Sequence, residues 1–189
     1  AYIETLYAFQ MPETGFDRFQ KSLLLVARKN GKSAIVSGLG LSELFIGAPG
    51  ADICCSSNDD AQSSLVYDVI NDARMQIDPN DRDSHKNQRF IINDATNSHI
   101  FKISVKTKNK EGRNIDFGVV DEAHEMLDNT IPKSIEQSQS IKDNPKLLII
   151  TTEGFIYEGF LDAELKKARQ IIKKEYDGLD AERYLPWLY

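Results

Sequence analysis

Two short clusters of residues in this chain have types and spacing suited to chemistry. The first closes the stretch Val26-Ala27-Arg28-Lys29-Asn30-Gly31-Lys32-Ser33. Where a helix begins, its leading N–H groups have no intrahelical partner and point outward together. Here those groups belong to Asn30, Gly31, Lys32 and Ser33, and an anion is their natural ligand. Lys32 adds a charge that reaches β- and γ-phosphates, and the Ser33 hydroxyl suits Mg²⁺. The second cluster is Asp121-Glu122, two adjacent carboxylates that close the mostly apolar run Ile115 to Val120. At the end of a parallel strand, Asp121 would face the metal held by Ser33. Glu122 would point to the γ-phosphate side, where a carboxylate orients and deprotonates water.

Neither cluster is specific alone. Gly-Lys-Ser recurs by chance, and the glycine that usually opens such a loop is replaced here by Val26. A polar helix start accounts for it equally well. Their order in the chain carries more weight: the acid pair follows the loop by about ninety residues, with βα units between, and together they predict a nucleoside triphosphatase.

The elements around them must position these groups. Leu23 to Val26 reads as a strand and Ser33 to Ile46 as a helix, so the loop joins strand to helix. Gly47-Ala48-Pro49-Gly50 is a turn, and Ala51 to Ser56 is a second apolar strand. Asn58-Asp59-Asp60 offers a helix cap; the helix runs to about Ile77, with Ala61, Leu65, Val66, Val69, Ile70 and Ala73 on one face. Residues 78–88 read as polar loop. Arg89 to Ile92 and Ser98 to Val105 read as strands joined by a hairpin turn over Asn93–Asn97. Ile131 to Ile141 reads as a helix, Leu147 to Ile150 as a buried strand, and Ile156 to Lys174 as an amphipathic helix. That helix turns Phe160, Leu161, Leu165, Ala168, Ile171 and Ile172 inward, and its basic outer face reads as solvated. Residues 1–22 read as a lead-in loop and 179–189 as a tail cut off before its own fold is complete. No internal boundary appears, so 1–189 reads as one domain.

Three features have plain structural readings. Lys102, Lys106, Lys108 and Lys110 fall on one face of an extended segment; such a row can hold DNA phosphates, but a solvated strand face is the preferred reading. Thr151-Thr152 at a strand end can satisfy loop backbone. Cys54-Cys55 cannot form a disulfide framework or a zinc site and read as small core residues. Hydrophobic residues make up 41% and charged residues 28%, as in ordinary globular domains, and no run is long enough to span a membrane. The net charge of −6 gives no global reason to bind nucleic acid.

With these pieces in place the chain resembles the ATPase domain of phage terminase large subunits, the DNA-packaging motors. The resemblance rests on Ala27-Arg28-Lys29-Asn30-Gly31-Lys32-Ser33, on Val119-Val120-Asp121-Glu122-Ala123-His124, and on Leu148-Ile149-Ile150-Thr151-Thr152-Glu153-Gly154. The Gly15 to Phe19 lead-in and Asp60-Ala61-Gln62 also fit. It implies that Arg28 responds to the γ-phosphate, that Thr151 and Thr152 couple hydrolysis to movement, and that an arginine acts on a neighbour's ATP. Arg113 is near the expected place for the last, on the other side of Gly112. It further implies double-stranded DNA, a terminase small subunit and a portal protein as partners, a homo-oligomeric ring, and the cytoplasm of a bacterial host. Two family features have no expected counterpart in these residues: neither Gln10 nor Gln20 is a secure adenine-contacting glutamine, and no nuclease domain is expected within 1–189.

The expected fold is α/β, a P-loop NTPase of the additional-strand, catalytic-Glu type, with a mainly parallel sheet between helices and nucleotide at the carboxyl ends of its strands. The expected ligands are ATP and Mg²⁺. Competing readings are a helicase-like DNA translocase and a nucleotide-regulated module that does not hydrolyse.

Overall fold

The computed structural model describes residues 1–103, 113–154 and 158–189. Its elements in chain order are α1 (Tyr2–Ala8), β1 (Lys21–Leu25), α2 (Lys32–Phe45), β2 (Asp52–Ser56), α3 (Asp60–Ile77), β3 (Ser84–Lys86), β4 (Ile91–Asn93), β5 (Ser98–Ile103) and β6 (Phe117–Asp121). A one-turn 3₁₀ helix (Ala123–Glu125), α4 (Thr130–Ser138), β7 (Lys146–Thr151), α5 (Phe160–Ile172), α6 (Leu179–Glu182) and β8 (Tyr184–Leu188) follow.

The strands form one sheet in the order β3-β4-β5-β2-β6-β7-β1-β8. From β5 to β8 every neighbouring pair is parallel, and β3-β4-β5 is an antiparallel meander at one edge. Strand β7 lies between β1, which leads into the phosphate loop, and β6, which ends in the acid pair. This is the additional strand that a glutamate in the acid pair predicted. β6 and β7 are buried along their whole length, as central parallel strands with both faces covered must be.

Helices cover both faces. On one, Leu6, Val36, Leu39, Leu44, Val66 and Ile70 pack on Leu24, Ile53, Cys55, Val119 and Ile150. On the other, Met126, Ile131, Ile135, Leu161, Leu165 and Ala168 pack on Leu23, Cys54, Val120 and Ile149. Alternation along each strand thus sends Cys54 and Cys55 to opposite faces, both buried and unbridged. α4 comes unusually near the sheet: a Cβ on Gly118 would lie 2.5 Å from Cγ2 of Ile135.

Several details differ from the sequence reading. The lead-in is not only loop, since α1 buries Tyr2 and Leu6, and the Tyr2 hydroxyl bonds to Ser22 at 2.8 Å. α3 is rotated from its predicted face. Ser63, Val66, Tyr67, Ile70, Asn71 and Arg74 point inward, leaving Leu65 and Val69 exposed. Hydrogen bonds carry the polar groups in: Ser63 Oγ donates to the Ile103 carbonyl at 3.1 Å, and Arg74 Nη1 to the Ser84 carbonyl at 2.9 Å. Within 78–88, β3 adds an edge strand, shaped by the Asp78 carboxylate accepting N–H bonds from Arg82, Asp83 and Ser84. Finally, residues 179–189 are built into the domain. β8 pairs with β1, and Tyr184 is buried with its hydroxyl on Glu164 at 2.8 Å. α5 ends before Lys174, with Ile172 exposed, and its predicted start at Ile156 lies outside the described residues.

Candidate nucleotide-binding site

The loop after β1 turns through two left-handed residues, Lys29 (φ 67°) and Gly31 (φ 75°). Gly31 is the residue that caps α2, and no side chain caps that helix among the described residues, so its first N–H groups remain available to a ligand. The absent first glycine is accommodated because Val26, at that position, still extends the strand: its N–H bonds to the Thr151 carbonyl at 3.1 Å.

Loop and acid pair meet. Lys32 Nζ lies 3.0 Å from Asp121 Oδ1 and 2.5 Å from Glu122 Oε1. β7 holds β1 and β6 two strand spacings apart, about 10 Å, and the lysine stem spans the gap between their ends. The Lys32 nitrogen makes these two ion pairs without a well-directed hydrogen bond. Burial pushes the Asp121 carboxyl above its usual range, against the pull of Lys32. Glu122 sits in the left-handed region (φ 51°), a conformation that costs a non-glycine residue energy and recurs at functional sites.

A cleft of about 330 Å³ opens here, lined by Arg28, Lys29, Gly31, Lys32, Ser33, Glu122, His124, Glu125 and Thr152 together with Ala27 and Ala34. Arg28, Lys29, Asn30 and Ser33 are surface-accessible, whereas Thr151 and Thr152 are buried. Two buried oxygens in the cleft, Glu122 Oε2 and Thr152 Oγ1, have no hydrogen-bond partner among the described residues. Unpaired buried acceptors and hydroxyls are uncommon and mark places where a ligand or water belongs. Clefts of about 670 and 500 Å³ lie elsewhere, at the amino ends of the strands around Glu43 and Lys146 and around Lys21 and Arg183. They are larger, but neither is lined by the loop after β1 or by the adjacent carboxylates at the end of β6.

Thr151 touches both halves of the site. Its carbonyl takes the Val26 N–H, and its hydroxyl accepts from the His124 backbone N–H at 3.1 Å. The sequence marks His124 only as part of the carboxylate loop. In the fold its Nδ1 lies 3.0 Å from Thr151 Oγ1 and 3.2 Å from Glu122 Oε2. Glu125 is held from the other side by Gln62 Nε2 at 2.6 Å, and Gln62 Oε1 accepts from Ser57 at 2.8 Å. Gln62 carried no sequence signal for this role, because the contact joins the start of α3 to a loop some sixty residues away.

Other candidates lie apart from the cleft. Arg113 pairs with Asp52 at 3.2 Å and stacks over Phe90 and Phe101 at 4.8 and 4.7 Å, at the amino end of β2. Gln20 precedes β1 and bonds to Arg183 and the Asp143 carbonyl, while Gln10 pairs with Asp17. Both glutamines therefore sit at the far end of the sheet from the loop. Lys102 is engaged by Asp60 and Ser64 of α3. Lys106, Lys108 and Lys110 fall outside the described residues. No helix among the described residues is long and apolar enough to cross a membrane.

Known structures share this fold. The large terminase of bacteriophage HK97 superposes over 100% of this chain with a TM-score of 0.81 at 18% identity, and the chain spans 38% of that protein's length. The large terminase ATPase domain of Thermus phage P74-26 matches 82% of the chain and 70% of its own length, with a TM-score of 0.61 at 17% identity. The large terminase of another thermophilic bacteriophage, solved in complex with ADP, matches 88% of the chain and 47% of its own length, with a TM-score of 0.55 at 13% identity. At these identities the superpositions speak for the fold. A search of curated proteins finds no significant match. The family model "Terminase large subunit, ATPase domain" matches residues 1–170, and the chain belongs to that family.

Proposed function

We propose that this chain is the ATP-hydrolysing motor domain of a phage terminase large subunit. The observation that carries the reading is the convergence of Lys32 with Asp121 and Glu122 beside an uncapped helix start. A free helix start, a cation and a carboxylate lining one cleft, with Asp121 paired to that cation, support a phosphate-binding and water-activating site.

This reading assigns each residue a role. The N–H groups at Gly31–Ser33 and the side chains of Arg28, Lys29 and Asn30 bind the phosphates. Lys32 leaves the acid pair to neutralise charge on the transferring group. Glu122, with one oxygen free of directed bonds, aligns the attacking water and takes its proton. Ser33 and Asp121 would hold Mg²⁺, which supplies charge neutralisation to the phosphate oxygens. Their hard oxygen donors fit that ion. Among the described residues no group of three or more acidic, His or Cys side chains is placed to hold a metal ion, and Mg²⁺ needs only one or two protein ligands when phosphates supply others. Thr151 and Thr152 pass the loss of the γ-phosphate to the strand end they occupy.

Membership in the family supports double-stranded DNA as the substrate track, with a small subunit, a portal protein and a ring of copies as partners in the bacterial host cytoplasm. The test is phosphate release by the chain with ATP and Mg²⁺. The native sequence is expected to turn over steadily, and Glu122→Gln to bind ATP normally while losing about a hundredfold or more in rate. Full activity in Glu122→Gln removes Glu122 from its role, and no release by the native sequence favours a module that binds without hydrolysing.

A further inference from the structure

We infer that His124 is a positioning residue for Glu122 and that its packing on Gly154 makes the acid loop and the end of β7 move as one unit; this rests on the proposed hydrolysis.

Three independent observations converge. The first is the hydrogen-bond arithmetic. The Thr151 hydroxyl donates its single proton to the Thr152 carbonyl at 2.9 Å. With its proton placed there it accepts from His124, and the tautomer that matches carries its proton on Nδ1. A carboxylate also only accepts, and Glu122 Oε2 lies 3.2 Å from the same Nδ1. One N–H thus lies between the catalytic carboxylate and the threonine at the strand end.

The second is steric. A Cβ on Gly154 would lie 2.4 Å from the Cβ of His124 and 2.8 Å from its ring. The imidazole is seated against bare backbone, and no other residue type leaves room for it. The third is the state of Glu122 itself. Its backbone is strained, and among the described residues two groups contact its carboxylate, Lys32 as an ion pair at 2.5 Å and the His124 ring at 3.2 Å. When Lys32 turns to the phosphates, His124 is the contact that remains. Where Glu122 points during hydrolysis is then set by His124, and through Thr151 and Gly154 by the strand end.

The experiment compares His124→Ala, His124→Asn, His124→Gln and Gly154→Ala in the 189-residue chain, measuring kcat and KM for ATP, ADP affinity and thermal melting. In asparagine the amide nitrogen stands the same number of bonds from Cβ as Nδ1, whereas in glutamine it stands one further. His124→Ala is expected to lose about tenfold to a hundredfold in kcat, with KM and ADP affinity within about twofold of the native chain. His124→Asn should recover most of the loss and His124→Gln should not. Gly154→Ala, which leaves the histidine in place but displaces it, should repeat the kcat-specific loss. Adding His124→Ala to Glu122→Gln should cost nothing further. Native kcat in His124→Ala, or equal loss in the alanine and asparagine variants with unchanged melting, overturns the inference. If the native chain releases no phosphate, or Glu122→Gln is fully active, the proposed function fails first. With those two controls as expected, a fully active His124→Ala sinks only the positioning role.

Discussion

The ammonium of Lys32 and the carboxylate of Glu122 are in direct contact at 2.5 Å. On the proposed mechanism the group that serves phosphate is thereby paired with the group that serves water, and nucleotide binding would separate them. Lys32→Ala removes the cation from both partners. Charge-assisted bonds contribute about 1.5–3 kcal/mol each, so nucleotide affinity should fall by about tenfold or more. Calorimetric titration with ATP and Mg²⁺ measures it, and unchanged affinity would count against the whole phosphate-loop assignment.

Gly118→Ala tests how closely α4 approaches the sheet behind the acid pair. The added methyl would meet Ile135 at 2.5 Å and Leu147 at 3.3 Å, both well buried. Overpacking of this kind costs about 1–3 kcal/mol. Each kcal/mol lowers the melting temperature of a chain this size by about 2–4 °C. A variant that melts with the native protein would mean that α4 withdraws freely.

Acid stability should depend on Asp78. The N–H of Arg82, then those of Asp83 and Ser84 and the Ser84 hydroxyl, hold its carboxyl down to about 2 from an ordinary 3.8, against the effect of burial. A depressed carboxyl pKa stabilises the fold above its unfolded value. That contribution is lost as pH falls from about 4 towards 2. Urea midpoints of the native chain and Asp78→Asn should therefore differ most at about pH 6 and converge near pH 2. A constant difference across that range would detach the effect from ionisation.

The lysine row separates into two parts. Lys102 is already engaged by Asp60 and Ser64, so its reversal should not alter any DNA response. Reversing Lys106, Lys108 and Lys110 to glutamate should leave ATP affinity intact. If the row meets DNA, it should also lower DNA-stimulated phosphate release and cut the salt slope of DNA binding by about one per lysine. No change at low salt returns these three to solvated surface.

Much of the fold was legible because its central strands are buried on both faces. Leu147 to Ile150 and Phe117 to Val120 are short runs without a charged or polar side chain, as strands covered on both faces require. The turn from β1 into α2 was legible because a glycine between an apolar strand and a helical pattern supplies the left-handed residue at which the helix starts. What sequence missed depends on contacts between distant segments. α3 shows its less apolar face to the core because Ser63 and Arg74 find partners on β5 and β3. β8 carries few polar residues and reads as a loose end until β1 is seen to lack a second neighbour. His124 gave no sign of its importance beyond its place after the acid pair, since Thr151 and Gly154 lie some thirty residues on.

β7 carries no charged group at its tip, yet its insertion has a consequence for signalling. Its register ties Leu25 to Thr151 on one side and Asp121 to Ile150 on the other. On the proposed mechanism, a triphosphate seated between the two flanking strands would rest across the mouth of a third, and departure of its terminal phosphate would be felt there as a change of hydrogen-bond partners.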